Sequence, residues 1–390
     1  MTKLILKRGR EGRLRAGHPW IYRGEVAELV GQWRADEAVT VLAHDGTCLG
    51  RGFYNPRPSL VCRLLSTRDE PVDQGFFRRR LEAALSYRRA AGLVAPAFRW
   101  VWSEGDALPG LVVDRYGPVA VIQCLTLGMA RHRGSIAEAL MELGGCCGVF
   151  ANDDPTAARL EGFEAKRGWV AGEGPSEVVI EEGPCRFLVS LERGQKTGFY
   201  LDQRENRLAL AACARGRTLL DAFAYSGAFA CQGLAAGAQR AVLLEISEGA
   251  LAGARRNLEL NGVEAKTECR QVNAFDELRR LEKSAEHFGL VVLDPPPFTR
   301  RKSALEAAAR GYKEINLRAL RLLEPGGILA TFSCSHHLAP ALFEEICQAA
   351  AADAGITVRV LAGLGQARDH PVLLSVPETR YLTGLLLQAV

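Results

Sequence analysis

The chain has 390 residues, 48% hydrophobic and 24% charged, and a net charge of +4. These values exclude a disordered chain and leave room for two or three domains with real cores. No apolar run of about 18 residues occurs, so no membrane-spanning helix is predicted. The opening MTKLILKRGREGRL also lacks a signal-peptide core, so a cytoplasmic protein is expected.

Residues 1 to about 68 contain short alternating runs, Ala38–Leu42 and Leu60–Leu65, broken by Gly and Pro, and predict a small β-rich module. A basic helical stretch, Gly75 to Ala91, follows with Arg78, Arg79, Arg80, Arg88 and Arg89. Strand-like runs at Leu111–Asp114, Val119–Cys124 and Val178–Ile180, with a helix near Ser135–Leu143, predict a mixed α+β module from 69 to 183. From 184 to 390 strand and helix alternate, which predicts an α/β domain with a doubly wound, mostly parallel Rossmann-like sheet. Its strands read at Thr218–Phe223, Ala241–Ile246, Cys269–Asn273, Leu290–Asp294, Ile328–Cys334, Val358–Leu361 and Leu382–Val390.

Residues 1–100 hold 18 Lys and Arg against 10 Asp and Glu, while the remainder carries a net negative charge. A basic N-terminal quarter suits a phosphate backbone. The eleven cysteines are scattered and form no CxxC pair, so they read as reduced thiols, and no metal is implied.

LLDAFAYSGAFA, Leu219 to Ala230, reads as a buried strand, a tight turn and a helix, with candidate cofactor contacts at Asp221, Tyr225, Ser226 and Gly227. Glu245 closes the next strand, where a carboxylate can accept ribose hydroxyls, with Ile246 and Ser247 beside it. Such an acid serves NAD as well as S-adenosylmethionine. The single glycine, in place of GxGxxG, favours S-adenosyl-L-methionine. Asn273 ends the third strand and is followed by Ala274 and Phe275, which together offer an amide and a ring to an adenine, or simply a helix cap.

LVVLD, ending at Asp294, runs into Pro295, Pro296, Pro297 and Phe298, and GILATFSC, ending at Cys334, runs into Ser335, His336 and His337. In a strand–helix–strand unit both strand ends face one crevice. Carbon 5 of a pyrimidine attacks a methyl sulfonium only after a thiolate adds to carbon 6, with an acid serving N3. Cys334 is therefore the candidate nucleophile and Asp294 its acid partner, and the polar neighbours of Cys334 favour a thiolate. An acid followed by prolines and an aromatic also suits methylation of an exocyclic amine, in which case Cys334 is an ordinary thiol.

With these residues in view, the whole sequence resembles the ribosomal-RNA large-subunit methyltransferase I family, which makes 5-methylcytosine in 23S rRNA. LKRGREGRLRAGHPWIYRGEV resembles its PUA domain, SEGDALPGLVVDRYG its central domain, and GQKTGFYLDQRENR the stretch leading into its catalytic domain. DAFAYSGAFA, LDPPPF, SCSHH and DHPVLLSVPETRYLTGLLLQ follow in the family's order. The resemblance implies a PUA-like RNA-binding domain over 1–68 and S-adenosyl-L-methionine as methyl donor. It implies a cytosine of 23S ribosomal RNA as acceptor, with Lys196, Phe199, Gln203 and Arg204 beside cofactor or flipped base. It leaves monomer or homodimer open. Better-known RNA cytosine methyltransferases carry a second cysteine after the acid, where this chain has prolines. A related branch methylates guanine N7, and a non-catalytic RNA-binding assembly factor is the remaining rival.

Overall fold

The structure, a computed structural model, describes residues 2–390 other than 94, 193, 195, 196, 299–303, 336 and 337. The backbone forms two compact units: residues to Ile180 with Val189–Leu201 and Arg368–Arg380, and Glu181–Leu188 with Asp202–Ala367 and Tyr381–Val390.

The first unit contains a six-stranded sheet with strands Trp20–Tyr22, Leu60–Ser66, Cys48–Tyr54, Ala38–Leu42, Lys3–Leu6 and Val26–Val30 in spatial order. Alternation puts Leu4, Leu6, Val39, Val41, Cys62 and Leu64 on its buried face. A five-stranded sheet, from Ala97–Trp102 to Arg167–Gly172, packs against helices Gln74–Ala90 and Arg133–Gly144. Asp73 caps the first of these helices by accepting from the Phe76 N–H, and Phe76, Phe77, Leu81, Ala84 and Leu85 face inward. Arg88 leaves the basic face expected from the sequence and is buried. It pairs with Asp106 and donates to the carbonyls of Arg99 at 2.8 Å and Asp369 at 2.6 Å. Arg99 in turn forks onto Asp114 at 2.5 and 2.9 Å.

The second unit holds a seven-stranded sheet with β1 Thr218–Ala222, β2 Arg240–Glu245, β3 Thr267–Gln271, β4 Phe288–Leu293, β5 Leu323–Ser333, β6 Val358–Gly365 and β7 Thr383–Ala389. Its helices are α1 Arg204–Ala211, α2 Ala228–Ala235, α3 Glu248–Leu260, α4 Ala274–Lys283, α5 Leu305–Arg321 and α6 Pro340–Ala354. The spatial order is β3-β2-β1-β4-β5-β7-β6. The pairings from β3 to β5 are parallel, and β7 runs antiparallel between β5 and β6. This is the doubly wound sheet that the alternation predicts. Buried strands of this kind read as unbroken apolar runs, here Leu290–Leu293 and Ile328–Ala330, because both faces are covered. The order reverses between β1 and β4, and ligands bind outside the carboxyl ends of strands at such a reversal. Strand β3 stops at Gln271 rather than Asn273, because Asn273 caps α4 with its side-chain oxygen.

Among the described residues no helix is long and apolar enough to cross a membrane, and no group of three His, Cys, Asp or Glu is arranged to hold a metal. None of the eleven cysteines is in a disulfide.

Candidate active site

Strand β1 ends at Ala222, and the chain turns into α2 through Phe223 at φ +66°, Tyr225 at φ +46° and Gly227 at φ +68°. Left-handed backbone at two non-glycine residues costs of order 1–3 kcal/mol each and is typical of ligand clamps. At Gly227 a Cβ would also lie 3.1 Å from Leu243 and 3.2 Å from Ala254, so the turn packs directly onto β2 and α3. Glu245, at the tip of β2, steadies the turn. Its two oxygens accept from the Tyr225 N–H at 2.9 Å and the Ser247 N–H at 2.8 Å, and each keeps acceptor capacity for a ribose hydroxyl. Ser247 caps α3, Ile246 is exposed, and the Ser226 carbonyl accepts from Asn257 at 2.9 Å.

Asp221 is buried in β1 and accepts from the Ala230 N–H at 3.2 Å. Burial pushes its carboxyl up to about 8, and the charges of Asp294 and Glu245 add to the effect. Three carboxyl groups therefore crowd the switch point, Asp221 keeping its proton and Asp294 and Glu245 supplying negative charge. S-Adenosylmethionine, with its sulfonium and ammonium charges, fits that acidic set, whereas a dinucleotide pyrophosphate would be repelled by it. Asn273 uses its side-chain oxygen to accept from the Phe275 N–H at 2.9 Å, so the helix-cap alternative is realised, with Ala274 buried behind it.

The second edge is built by β4 and β5. Their parallel register, Leu290 with Ile328 through Leu293 with Thr331, brings Asp294 and Cys334 out of the same end of the sheet. The Cys334 thiol donates to the Pro295 carbonyl at 3.7 Å, so the nucleophile candidate touches the residue after the acid candidate. Cys334 is half-buried, unlike Cys62, Cys124 and Cys347, whose thiols burial pushes up to about 12. Phe298 stacks between Phe275, 5.4 Å between ring centres, and Tyr312 at 4.5 Å. His336 and His337 lie outside the described residues, as does Lys196.

Of the remaining candidates, Phe199 lies in the first unit, buried, its backbone N–H donating to the Tyr116 hydroxyl at 3.1 Å. Gln203 and Arg204 open α1. Gln203 accepts from Asn206 at 2.6 Å, and its own buried amide nitrogen meets no acceptor among the described residues. The Arg204 guanidinium is 3.9 Å from Glu182.

Two groups escaped the sequence reading. Arg207 forks onto Glu182 at 2.6 Å through both nitrogens, and Gln232 donates to the Glu182 carbonyl at 2.6 Å. Tyr312, on the buried face of α5, bonds Ser335 at 3.0 Å and also engages Ser333 and the Phe298 backbone. Burial pushes its hydroxyl up, against those hydrogen bonds. A tyrosine on a mostly apolar face, with Asn316 as the other buried polar residue there, was the available signal, since a buried hydroxyl needs a partner.

Comparison with known proteins is consistent with this geometry. Residues 161–361 match the model of an S-adenosylmethionine-dependent methyltransferase family, and residues 4–67 match a PUA-like domain. A relative from Alteromonas mediterranea, named ribosomal RNA large subunit methyltransferase I, is 40% identical over 99% of this chain and 98% of its own length. A relative of that name from Klebsiella pneumoniae (strain 342) is 39% identical over 98% of this chain and 97% of its own. A solved structure of a methyltransferase complexed with SAH has a TM-score of 0.86 at 19% identity, covering 100% of both chains, a likeness of fold. The cofactor is S-adenosyl-L-methionine, and the chain belongs to the ribosomal RNA large subunit methyltransferase I family.

Proposed function

We propose that this protein methylates carbon 5 of a cytosine in 23S ribosomal RNA through a covalent Cys334 adduct at carbon 6. The contact between the Cys334 thiol and the Pro295 carbonyl carries the reading, because it sets thiol and Asp294 at one sheet edge. Bound S-adenosylmethionine supplies an electrophilic methyl group. Glu245 and the Tyr225–Gly227 turn would hold the ribose and methionine ends of that cofactor, and Phe275 and Ala274 would lie on the side of its adenine. Lys196, Phe199, Gln203 and Arg204 keep the roles that the family resemblance gives them, beside cofactor or base.

Cys334, as thiolate, adds to carbon 6, and Asp294 serves the proton at N3 as the ring becomes an enamine. Carbon 5 would then take the methyl group, with the sulfonium carbon–sulfur bond breaking to leave neutral S-adenosylhomocysteine. Loss of the carbon-5 proton re-forms the double bond and expels the thiolate. Pro295, Pro296 and Pro297 carry no titratable side chain, so that proton leaves to a group outside this run. In this reading residues 1–68 are the PUA-like RNA-binding domain, 69–183 the central domain and 184–390 the methyltransferase domain, and the enzyme acts in the cytoplasm.

RNA carrying 5-fluorocytosine at the target tests the nucleophile, since fluorine blocks the elimination step. Wild-type enzyme should trap a complex that survives denaturing electrophoresis. Cys334→Ala should trap nothing and lose methylation while binding cofactor normally. An active Cys334→Ala enzyme without an adduct would move the target to guanine N7 or an exocyclic amine. Cofactor binding without any methylation by the wild type would leave an RNA-binding assembly factor.

A further inference from the structure

In the first unit, strand Leu60–Ser66 ends beside the start of helix Gln74–Ala90. Between them opens a cleft of about 360 Å³ lined by Ser66, Arg68, Glu70, Phe76, Arg79 and Arg80. Its charges do not balance. Glu70 accepts from the Ser66 hydroxyl at 2.5 Å through one oxygen and pairs with Arg79 at 3.1 Å through the other, so its single charge is already matched by one guanidinium. The other nearby acids are engaged elsewhere, Asp69 with Arg51 at 3.3 Å and Asp73 capping the helix.

Arg80 donates to the Leu65 carbonyl at 3.0 Å and lies 5.1 Å over the Phe76 ring, without an ion pair among the described residues. The exposed Arg68 guanidinium likewise has no carboxylate partner among them. Three guanidiniums thus share one carboxylate. Burial pushes the Arg80 guanidinium down, and the charges of Arg79 and Arg68 add to this, against that of Glu70. Arginine stays ionised nonetheless, so the crowding is relieved by an incoming anion.

We propose that this notch seats a backbone phosphate of the RNA substrate. The inference rests on the RNA reading above and adds the residues of one contact to it. A guanidinium fork matches the oxygens of a phosphate, and three such forks on one cleft exceed what solvation of a face requires. The ligand is the phosphate rather than the nucleobase. Phe76 is the aromatic ring of the cleft, it is 1% exposed, and Arg80 lies over its face, so no ring remains for a base to stack on. The contact is therefore independent of sequence and serves register, not choice of target.

The full-length protein and an Arg68→Ala/Arg80→Gln variant would be titrated with a 23S rRNA fragment over a series of salt concentrations. The variant should bind on the order of tenfold more weakly at low salt, and its plot of log affinity against log salt should be shallower by about 0.7–0.9. Unchanged affinity and slope in a variant that still binds S-adenosylmethionine normally would overturn the proposal. If the double variant does not fold, Arg68→Glu alone keeps the test, because that exposed side chain supports no described ion pair. Calorimetry with inorganic phosphate separates the sources: heat lost in the variant with an unchanged RNA slope would assign the notch to a free anion and overturn the RNA contact. The slope counts phosphates on any RNA, so it reads the notch even if the cytosine assignment fails in the fluorocytosine experiment.

Discussion

At the scale of single residues, the site is governed by how burial treats each ionisable group. Asp221 is 1% exposed and is pushed up to about 8 by burial, with Asp294 and Glu245 adding to the shift. An unfolded aspartate titrates near ~3.9. Between that pH and about 8 the native state holds a proton that the unfolded state has lost. Stability should then fall as pH rises through this window, at about 1.4 kcal/mol per pH unit for one proton, and level off above it. Asp221→Asn stays neutral throughout. Urea titrations at pH 5 and pH 8 should show the variant gaining on wild type toward pH 8, and added S-adenosylmethionine should flatten the wild-type slope because its positive charge favours the carboxylate. Parallel pH profiles for the two proteins would mean that Asp221 is ionised in the native state. The same contrast in burial separates Cys334 from Cys62, Cys124 and Cys347, whose raised thiols have no reactive form near neutrality.

At the scale of elements, helix α5 links the two strand ends to which the proposed chemistry is assigned. The Tyr312 hydroxyl engages Ser335 and Ser333, on either side of Cys334, and the backbone of Phe298, while its ring stacks on Phe298 at 4.5 Å. Tyr312→Phe keeps the stack and removes the hydroxyl, leaving buried polar partners short of a bond. Chemical denaturation should report a loss of about 1–3 kcal/mol, and kcat for methylation should fall further than KM changes. A variant of wild-type stability and turnover would make the hydroxyl a bystander. This element also marks where sequence reading stops. LVVLD and GILATFSC announce themselves as strands because a strand covered on both faces is a local apolar run, and the candidates Asp294 and Cys334 follow directly. The place of Glu245 at a strand end was legible for the same reason. The partners of Tyr312, and the pairing of Glu182 with Arg207 and Gln232, join residues far apart in the chain, and no local pattern encodes such a bond. Asn273 lay between these cases: its position was legible, but the residue type suits a helix cap and an adenine contact equally, and the cap is what its side-chain oxygen makes.

At the scale of the whole molecule, the chain passes between the two units more than once, and this limits how it can be cut. Val189–Leu201 and Arg368–Arg380 belong to the first unit, although β1 to β6 lie between them and β7 follows. Each segment is anchored there by buried polar contacts. Asp114 accepts from the Thr197 hydroxyl and the Tyr116 hydroxyl donates to the Phe199 carbonyl at 3.2 Å, while Asp369 accepts from the Arg99 N–H at 3.0 Å and its carbonyl accepts from Arg88 at 2.6 Å. A chain begun at Pro184 would strip both segments of these partners and would also remove Glu182. Arg207 would then keep a buried charge without its forked carboxylate, and breaking one side of a buried ion pair costs about 3–5 kcal/mol. Gln232 would lose its carbonyl acceptor as well. Against a total stability of about 5–15 kcal/mol, these losses are large. The fragment 184–390 should therefore show no cooperative thermal transition and weak S-adenosylmethionine binding, even though it contains Glu245, Asp294 and Cys334. Beginning the chain at Glu177 instead restores Glu182 and the hairpin of Glu177–Glu182 with Cys185–Ser190, and should recover part of the transition. A cooperative melt and wild-type cofactor affinity in the shorter fragment would show that the methyltransferase sheet stands without the Glu182 pair or the two anchored segments.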